Sequence, residues 1–175
     1  EYRAFYGCYD MTNIEIPSSV THIDIYAFDY CTELTSINVS RDNPNYSSED
    51  GILYDKNKTT LVLVPEGKEG SIVLLSGVTC IGDNACSGCR NLTSIEIPKS
   101  VTNIGNGAFR GCSGLTNINI PKSVTRIGNE AFYGCSGLTS IEIPSSVTSI
   151  GAEAFRNCSG LTSLKMTAKV ASIEK

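Results

Sequence analysis

The sequence has no tryptophan and a single histidine, His22, among its 175 residues. Acid–base catalysis or metal binding by histidine would therefore rest on one imidazole, which argues against many hydrolase and metalloenzyme classes. Basic residues are not in excess either, because 14 Lys and Arg stand against 18 Asp and Glu for a net charge of −4. A chain without a positive field is not expected to bind nucleic acid.

Long apolar runs and leader-like segments are also missing. No stretch approaches the ~18–20 apolar residues of a membrane span, so we expect no membrane insertion by this chain. The N-terminal segment EYRAFYGCYD lacks the basic-then-apolar layout of a signal peptide. The composition, 41% hydrophobic and 18% charged, is ordinary for a folded protein, and the length favours one domain over residues 1–175.

What the sequence does contain is a period of 23 residues, marked by six of its eight cysteines. Each unit carries the alternation Leu-x-x-Ile-x-Ile-Pro, then Val-x-x-Ile, then Ala-Phe-x-x-Cys. Alternation over four or five residues predicts a strand, and so short a unit cannot close a core alone. The units must stack as a solenoid. The six cysteines are Cys8, Cys31, Cys89, Cys112, Cys135 and Cys158.

Stacked units predict a β-rich, right-handed repeat solenoid. Neighbouring coils are expected ~4.7–4.9 Å apart, with Leu, Ile, Val, Phe and Cys side chains forming continuous ladders through the middle. We expect roughly eight coils and little helix.

The unit Leu-x-x-Ile-x-Ile-Pro-x-x-Val-x-x-Ile-x-x-x-Ala-Phe-x-x-Cys resembles the BspA-like class of leucine-rich repeats, over residues 1–38 and 76–166. The resemblance implies an α/β-type repeat array with a parallel sheet on the concave side and short extended or 3₁₀ segments on the convex side. It also implies a cell-surface or secreted protein that adheres to host extracellular-matrix or cell-surface proteins.

One unit is irregular. Regular units cover residues 1–39 and 76–175, and the unit at 40–75 carries 12 extra residues, because Val39 to Leu74 spans 35 residues where 23 are usual. The polar run 55–58 between apolar flanks predicts a protruding hairpin tip. Either Thr60–Val64 or Ile72–Leu74 takes the concave strand position. The chain also begins inside a unit, at Ala4 and Phe5, and ends inside one, at Val170 and Ile173. We therefore expect it to be a segment of a longer protein.

The cysteines have competing interpretations. At one inward position of successive coils they act as small buried thiols, whereas disulfides between stacked side chains would not easily reach the required torsion. Cys86-x-x-Cys89 has a metal or redox spacing, but without a second pair it is a weak signal. We expect reduced thiols, no metal and no cofactor, and Cys80 as the most accessible thiol.

The outward residues of the concave strands form a ribbon of small polar groups with scattered charge. This ribbon is explained equally well as a solubilised sheet face and as a binding face. The inserted unit adds aromatic residues beside its tip, which either bind a partner or cover the core of the enlarged coil. The predicted binding residues are Glu15, Asn38, Tyr46, Tyr54, Glu96, Asn119, Glu142 and Lys165.

Two functional hypotheses follow. The first is a non-enzymatic module that binds another protein through the concave face or the inserted unit. The second is a structural spacer that presents another domain and binds nothing itself. An enzyme would need convergent catalytic groups, and the repeat spreads its polar residues evenly instead. The sequence leaves the oligomeric state open.

Overall fold

The computed structural model describes residues 3–167, which form a β-solenoid of about seven turns. The expectation of roughly eight coils is slightly high. Val170 and Ile173 lie outside the described residues. Within residues 3–167 there is no helix, and the strands are β1 (Asn13–Ile16), β2 (Ser36–Val39), β3 (Tyr46–Glu49), β4 (Ile52–Asp55), β5 (Thr60–Leu63), β6 (Gly70–Val73), β7 (Cys80–Ile81), β8 (Leu92–Glu96), β9 (Asn103–Ile104), β10 (Arg126–Ile127), β11 (Ser140–Ile143), β12 (Ser149–Ile150) and β13 (Ser163–Met166).

Each regular coil has two strand positions because its apolar pattern occurs twice, in Leu-x-x-Ile-x-Ile and in Val-x-x-Ile. The first position supplies three parallel pairs, β1–β2, β6–β8 and β11–β13, and one bridge joins Asn117 to Ser140. The second supplies β12, β10, β9 and β7, which continue through β5, β4 and β3 as a seven-stranded sheet. The predicted parallel pairing is confirmed, but the longer sheet lies on the Val-x-x-Ile side, not on the side predicted to carry it.

The Ala-Phe-x-x-Cys segments are turns, and the expected 3₁₀ segments are wrong. A 3₁₀ helix needs successive amides to bond three residues back. Here only alternate amides do so: Arg110 N–H donates to Gly107 O at 2.9 Å, whereas Phe109 N–H donates to Ala131 O of the next coil at 2.7 Å. Stacking thus takes half of the donors that a helix would use. With no helix in the described residues, the α/β label is also wrong.

The apolar side chains form two cores. The N-terminal core contains Ile16, Phe28, Cys31 and Leu34, and the C-terminal core runs from the inserted unit to Ala154. Phenylalanines stack from coil to coil in both. In the C-terminal core the rings of Phe109, Phe132 and Phe155 follow one another at 5.2 and 5.3 Å, and in the N-terminal coils Phe5 stacks on Phe28 at 5.4 Å.

Strand β4 is the wall between the two cores. Successive side chains of a strand point to opposite sides. Ile52 and Tyr54 therefore pack into the C-terminal core and Leu53 into the N-terminal core, and all three are at most 3% exposed. β4 pairs antiparallel with β3 and with β5, so the hairpin predicted with its tip at residues 55–58 is confirmed. Asp55 still belongs to β4, and residues 56–59 form the turn.

The inserted unit also resolves which segment takes the first strand position. In β6, Ile72 is in register with Ile95 of β8, whereas β5 pairs with β7 in the longer sheet. Ile72–Leu74 is therefore the correct alternative.

The start of the inserted unit is held by Asn43, which is fully buried. Its side-chain Nδ2 donates to Pro17 O and Val20 O, both at 2.9 Å.

The cysteines form the predicted ladder of free thiols. Cys135 Sγ donates to the carbonyl of Phe109 in the preceding coil at 3.0 Å. The same contact, always to the residue 26 positions earlier, occurs at Cys31, Cys112 and Cys158 at 3.2, 3.0 and 3.1 Å. Each of these carbonyls also accepts a backbone N–H of its own turn, as Phe109 O does from Cys112 N–H at 3.2 Å, so the thiol of the next coil is a second donor to it.

Exposure of the thiols corrects one prediction. Cys8 is exposed, while Cys80 is only partly so, because no coil among the described residues covers Cys8 from the N-terminal side. Burial raises the pKa of Cys31 to about 11 and that of Cys135 to about 12. It also raises the pKa values of Cys86 and Cys89 well above that of an ordinary thiol. Because the thiolate is the reactive form and a raised pKa keeps the thiol protonated, we expect Cys86 and Cys89 to react slowly in the folded protein.

Candidate binding surface

The outward side of the first strand position carries most of the predicted binding residues. We call this surface, over residues 13–16, 36–39, 70–73, 92–96, 117–119, 140–143 and 163–166, the Ser-Ile-Glu face. Along each strand the isoleucines turn inward, as Ile95 and Ile141 do at 5% and 4% exposure, so the polar residues between them face solvent. Because the period brings equivalent positions into register, the outward residues form two parallel columns along the stack, one at the Ser position and one at the Glu position.

Within this face lies an open groove of about 940 Å³ that crosses four coils, from the inserted unit to the coil of Glu142. Its floor holds a column of Ser and Asn and a second column in which Glu96, Asn119 and Glu142 follow one another. Lys99 and Lys122 lie along its rim. The groove is therefore polar, carries both signs of charge, and follows the direction in which the coils stack.

The charges of the floor are spaced by the repeat. Asn119 lies between Glu96 and Glu142, so the two carboxylates are separated by two coil spacings, roughly 10 Å. Glu142 accepts a hydrogen bond from Lys165 Nζ at 3.2 Å, and both side chains are more than half exposed. The ion pair is solvated and adds little stability, which leaves both groups available to a partner.

Glu15 and Asn38, which were also predicted to bind, lie on a separate part of the face. Asn38 Nδ2 donates to Glu15 Oε1 at 3.0 Å, on the β1–β2 pair. The open edge of β2 is covered by the inserted unit, since Ile37 N–H donates to Gly51 O at 2.9 Å and Val39 N–H to Ser48 Oγ at 2.9 Å. The ribbon predicted from the sequence is therefore two surfaces.

The aromatic residues predicted to bind from the inserted unit are structural. Tyr54 is 1% exposed, and its burial raises its pKa to about 12, so its prediction as a surface contact is wrong. Tyr46 is half-buried, and its hydroxyl accepts the N–H of Ile23 at 3.0 Å. Both tyrosines complete the core of the enlarged coil.

The polar tip of the hairpin is bonded on several sides. Asp55 Oδ1 accepts the N–H groups of Thr59 and Thr60 at 2.7 and 2.6 Å, closing the turn. Lys58 Nζ pairs with Glu49 Oε2 of β3 at 2.7 Å. A tip held in this way presents a fixed surface and is a poor candidate for an adaptable binding loop.

A turn-side column of side-chain amides was missed by sequence reasoning. Asp83 Oδ1 accepts Asn106 N–H at 2.7 Å, Asn106 Oδ1 accepts Asn129 N–H at 3.0 Å, and Asn129 Oδ1 accepts Ala152 N–H at 3.0 Å. The signal was present, because a Gly-Asp or Gly-Asn pair recurs every 23 residues. The column links neighbouring coils, and each Oδ1 atom is occupied by a backbone N–H of the next coil.

Glu66 was also missed, because only the tertiary structure shows its role. In regular coils the residue before the ladder cysteine donates its N–H to the next coil, as Gly111 does to Tyr133 O at 2.7 Å. The inserted unit has no matching turn, and Tyr30 N–H donates instead to the Glu66 carboxylate at 2.8 Å. A side chain thus replaces a backbone carbonyl at the junction.

The most aromatic exposed surface lies elsewhere, on the turns of the first two coils. Tyr6, Tyr9, Tyr26 and Tyr30 are 44%, 58%, 37% and 47% exposed. A comparison of turn positions could have found them, because the regular C-terminal units carry Ser, Gly, Arg or Glu at most of these positions. His22 is exposed, as predicted.

Other chemistry has little support in the described part of the chain. No cluster of three or more His, Cys, Asp or Glu side chains in residues 3–167 is placed to hold a metal ion. In the same residues, no helix has the length and apolar character needed to cross a membrane.

Solved structures of bacterial repeat proteins are similar to this chain. The pneumococcal vaccine antigen PcpA is 26% identical, with a TM-score of 0.83 over 89% of this chain and 39% of its own. A leucine-rich cell surface protein from Faecalibacterium prausnitzii is 31% identical, with a TM-score of 0.72 over 91% of this chain and 48% of its own. A leucine-rich repeat protein from Eubacterium ventriosum is 29% identical, with a TM-score of 0.70 over 88% and 48%. This chain spans about half the length of these structures, or less.

A search of curated proteins finds no match. The repeat pattern itself matches the family model described as BspA type leucine rich repeat region, in six copies over residues 1–63 and 69–175. The residues between the two matched ranges follow β5 in the inserted unit, where Glu66 replaces a missing turn. The coils, the stacked phenylalanines and the cysteine ladder are thus the structural form of that repeat, and the chain belongs to the BspA-type leucine-rich repeat family.

Proposed function

We propose that this chain is a non-enzymatic binding module of a cell-surface or secreted protein, and that it binds another protein through the groove of the Ser-Ile-Glu face. A location at the cell surface is supported by the similar structures, one of which is called a cell surface protein and another a vaccine antigen. The partner we propose is an extracellular-matrix or cell-surface protein.

The observation that carries this proposal is the groove itself. It is open, about 940 Å³ in volume, and lined by polar groups from four coils. Because each coil is fixed to its neighbours by backbone and side-chain hydrogen bonds, the groups of the floor keep their spacing without a partner. A preorganised surface loses little entropy on binding, which favours recognition of an extended segment lying along the stack.

Catalysis is not the use that the groove supports. Its polar residues repeat at the coil spacing, so Glu96 and Glu142 are separated by an amide and do not converge on one point. An active site needs a nucleophile, a base and an orienting group within hydrogen-bond reach of one another. Specificity here would come from the order of Glu, Asn and Lys along the column.

The experiment is binding of the whole chain to a panel of extracellular-matrix and cell-surface proteins, measured by surface plasmon resonance. The groove variant carries Glu96→Ala, Asn119→Ala and Glu142→Ala. These side chains are exposed, so we expect a melting temperature close to that of the parent. Binding to a true partner should weaken by about tenfold or more, as loss of several polar contacts predicts.

A matched control carries Arg126→Ala and Ser149→Ala, which lie on the outer side of the longer sheet and are also exposed. This control should bind as the parent does. Equal weakening by both variants, or full binding by the groove variant, contradicts the proposed surface.

The spacer function is the second candidate, and one observation favours it. The groove contains no Tyr, Trp or Arg among its lining residues, and these are the residue types that dominate protein interfaces. A spacer predicts that no member of the panel binds, and that parent and groove variant give the same baseline.

A further inference from the structure

The turns of the first two coils carry a surface that is different from the groove. Tyr6, Tyr9, Tyr26 and Tyr30, which we call the tyrosine patch, are each more than one-third exposed. The rings of Tyr6 and Tyr30 meet edge to face at 5.2 Å, and the Tyr9 ring packs against Gly7, the residue after Tyr6. Two of the four rings are therefore in direct contact, and a third lies beside the backbone of the same turn.

The exposure of the patch follows from its repeat position. Tyr6 stands two residues before a ladder cysteine, where later coils carry Arg110, Tyr133 and Arg156. Those arginine side chains are 51% and 58% exposed although coils stack on both sides of Arg110. Side chains at this position thus point sideways from the stack, and Tyr6 does not depend on lying in the first coil to be exposed.

Tyr30 adds an independent observation, because its backbone is strained. It has φ of 62°, the left-handed region that side chains with a bulky Cβ substituent avoid. The corresponding residues of four other coils are glycines with φ of 71–77°, namely Gly7, Gly88, Gly111 and Gly134. The fold accepts glycine here, so the tyrosine is not required by the turn. Asn157 takes the same position with φ of 61°, so the positive φ belongs to the turn, and the bulky tyrosine is a feature of this coil alone among the described ladder turns.

The charge of the first coils is as uneven as their aromatic content. Residues 1–40 contain one arginine and six acidic residues, a net charge of −5, whereas residues 41–175 contain 13 basic and 12 acidic residues, a net charge of +1. All of the excess negative charge of the chain therefore belongs to the coils that carry the patch. Asp29 lies in the middle of it, between Phe28 and Tyr30 in sequence, and its carbonyl accepts Gly7 N–H at 2.9 Å.

The structure also shows which group these rings accept. The guanidinium of Arg3 lies over the ring of Tyr6 at 4.7 Å from the centroid. On the same side of the C-terminal coils, the guanidinium of Arg110 lies over the ring of Tyr133 at 5.0 Å. Tyrosine faces next to carboxylates attract guanidinium groups by cation–π and ion-pair interactions together.

We propose that the tyrosine patch binds an arginine-rich, extended segment of a partner protein. Its arginines stack on the parts of the Tyr6, Tyr9 and Tyr30 rings that Arg3 leaves exposed. The carboxylates of Asp24 and Glu66, which accept the N–H groups of Tyr26 and Tyr30 at 2.9 and 2.8 Å, lie beside these turns and supply the opposite charge. A net charge of −5 in these coils repels nucleic acid and anionic membranes, which removes two other uses of an exposed aromatic surface. The site does not rest on the groove, and either surface binds without the other.

The test uses the whole chain and a labelled synthetic peptide in which four arginines alternate with Gly and Ser. Matched peptides replace the arginines by lysine or by serine. At about 50 mM salt we expect the arginine peptide to bind at least about tenfold more tightly than the serine peptide, with the lysine peptide between them. Raising the salt to about 300 mM should weaken the arginine peptide severalfold. Equal affinity for the arginine and serine peptides overturns the proposal.

The decisive variant is Tyr30→Gly. Because glycine is the residue of the other coils and relieves the positive φ, the melting temperature should stay the same or rise. Binding of the arginine peptide should fall at least about fivefold, the loss expected for one aromatic anchor. A variant with Tyr6→Ser and Tyr9→Ser should lose binding to a greater extent.

The control is Asn157→Gly, at the corresponding turn position before Cys158, where φ is 61°. It changes the same position far from the patch and removes the hydrogen bond from Asn157 Nδ2 to the Tyr133 hydroxyl, and peptide binding should stay at the parent level. Parent-level binding by Tyr30→Gly overturns the assignment of the site, and so does an equal loss in Asn157→Gly.

Discussion

The coils before the inserted unit and the coils after it are built on one repeat but use it differently. After the insertion, the turns carry glycine, the ladder cysteines Cys89, Cys112 and Cys135 are fully buried, and charges of both signs balance. Before it, four turn positions carry exposed tyrosines and acidic residues dominate, while Cys31 is as fully buried as those three cysteines. The inward positions therefore specify the coil, and the turn positions are free to carry a different chemistry in each part of the array.

The same comparison holds for packing. The C-terminal core extends over many stacked coils, whereas the N-terminal core has seven buried residues, one of which comes from the inserted unit. In a repeat array, stability is a sum of each unit and its contacts with neighbours. The N-terminal coils should therefore be the weaker part of the molecule, and the substitutions below test this.

The largest effect is expected at Phe132, which stacks between Phe109 and Phe155 and is fully buried. Phe132→Ala should reduce the free energy of unfolding by about 3–5 kcal/mol, the usual cost of a large cavity in a core. The matched change Phe5→Ala removes a ring that is 38% exposed and should cost much less. Denaturant unfolding of both variants measures the difference, and equal costs would show that a partly exposed stacked ring contributes as much as a fully buried one.

Strand β4 allows the two cores to be loosened separately. Leu53→Ala opens the N-terminal core and should cost about 2–4 kcal/mol, with faster hydrogen exchange in residues 3–40 than in residues 85–160. Tyr54→Phe is the conservative control on the other side of the strand, and it should leave exchange in residues 3–40 unchanged. Uniform acceleration along the whole chain after Leu53→Ala would mean that the two cores unfold as one.

The junction between the two parts depends on the Glu66 carboxylate. Glu66→Ala leaves Tyr30 N–H without its acceptor and should cost about 1–3 kcal/mol. Glu66→Gln keeps an acceptor oxygen and removes the charge. Burial is the main cause that raises the pKa of Glu66 above its ordinary 4.5, with the carboxylate of Asp29 adding to it and Arg90 opposing it.

The direction of this shift fixes the pH dependence. A carboxyl group with a raised pKa in the folded state stabilises the fold fully below its unfolded pKa, near 4.5, and loses that contribution as pH rises through the folded value. At neutral pH, Glu66→Gln should therefore be as stable as the parent or more stable, and the difference should shrink as the pH falls towards 4.5. Melting temperatures across this range test the sign. A parent that becomes relatively less stable in acid would contradict it.

The smallest effect concerns reactivity, with no change in stability. In the native protein a thiol reagent should modify Cys8 first and Cys80 more slowly, since the first is exposed and the second partly so. Cys86, Cys89 and Cys112 should react only after denaturant is added, because they are fully buried and burial raises their pKa values. Rapid reaction of these three without denaturant would show that the C-terminal core opens readily.

The repeat made much of this structure predictable. A spacing of 23 residues sets the length of a coil, and the alternation of apolar residues sets which side chains turn inward. The ladder of thiols and the grouping of Glu96, Asn119 and Glu142 follow from these two facts alone. Sheet continuity did not follow, because it depends on how well neighbouring backbones align.

The inserted unit could not be predicted to the same depth, since it breaks the period. Three consecutive apolar residues in β4 do not show that both sides of the strand are buried, so the sequence leaves Tyr54 either as a binding residue or as part of the core. The path of the chain across β2, which divides Glu15 and Asn38 from the groove, depends on contacts with Gly51 and Ser48 that no local pattern indicates. The acceptor role of Glu66 is tertiary for the same reason.

Because β4 lies between two cores, its side chains limit which insertions and deletions this array can accept. Adding or deleting one residue within β4 would send Leu53 to the wrong core and exchange it with Ile52 and Tyr54, because side chains alternate with a period of two. Whole units of 23 residues can be gained or lost on either side without touching that strand, since each coil contacts only its neighbours. Duplication of complete units is therefore the route by which such a protein can lengthen while its junction stays fixed.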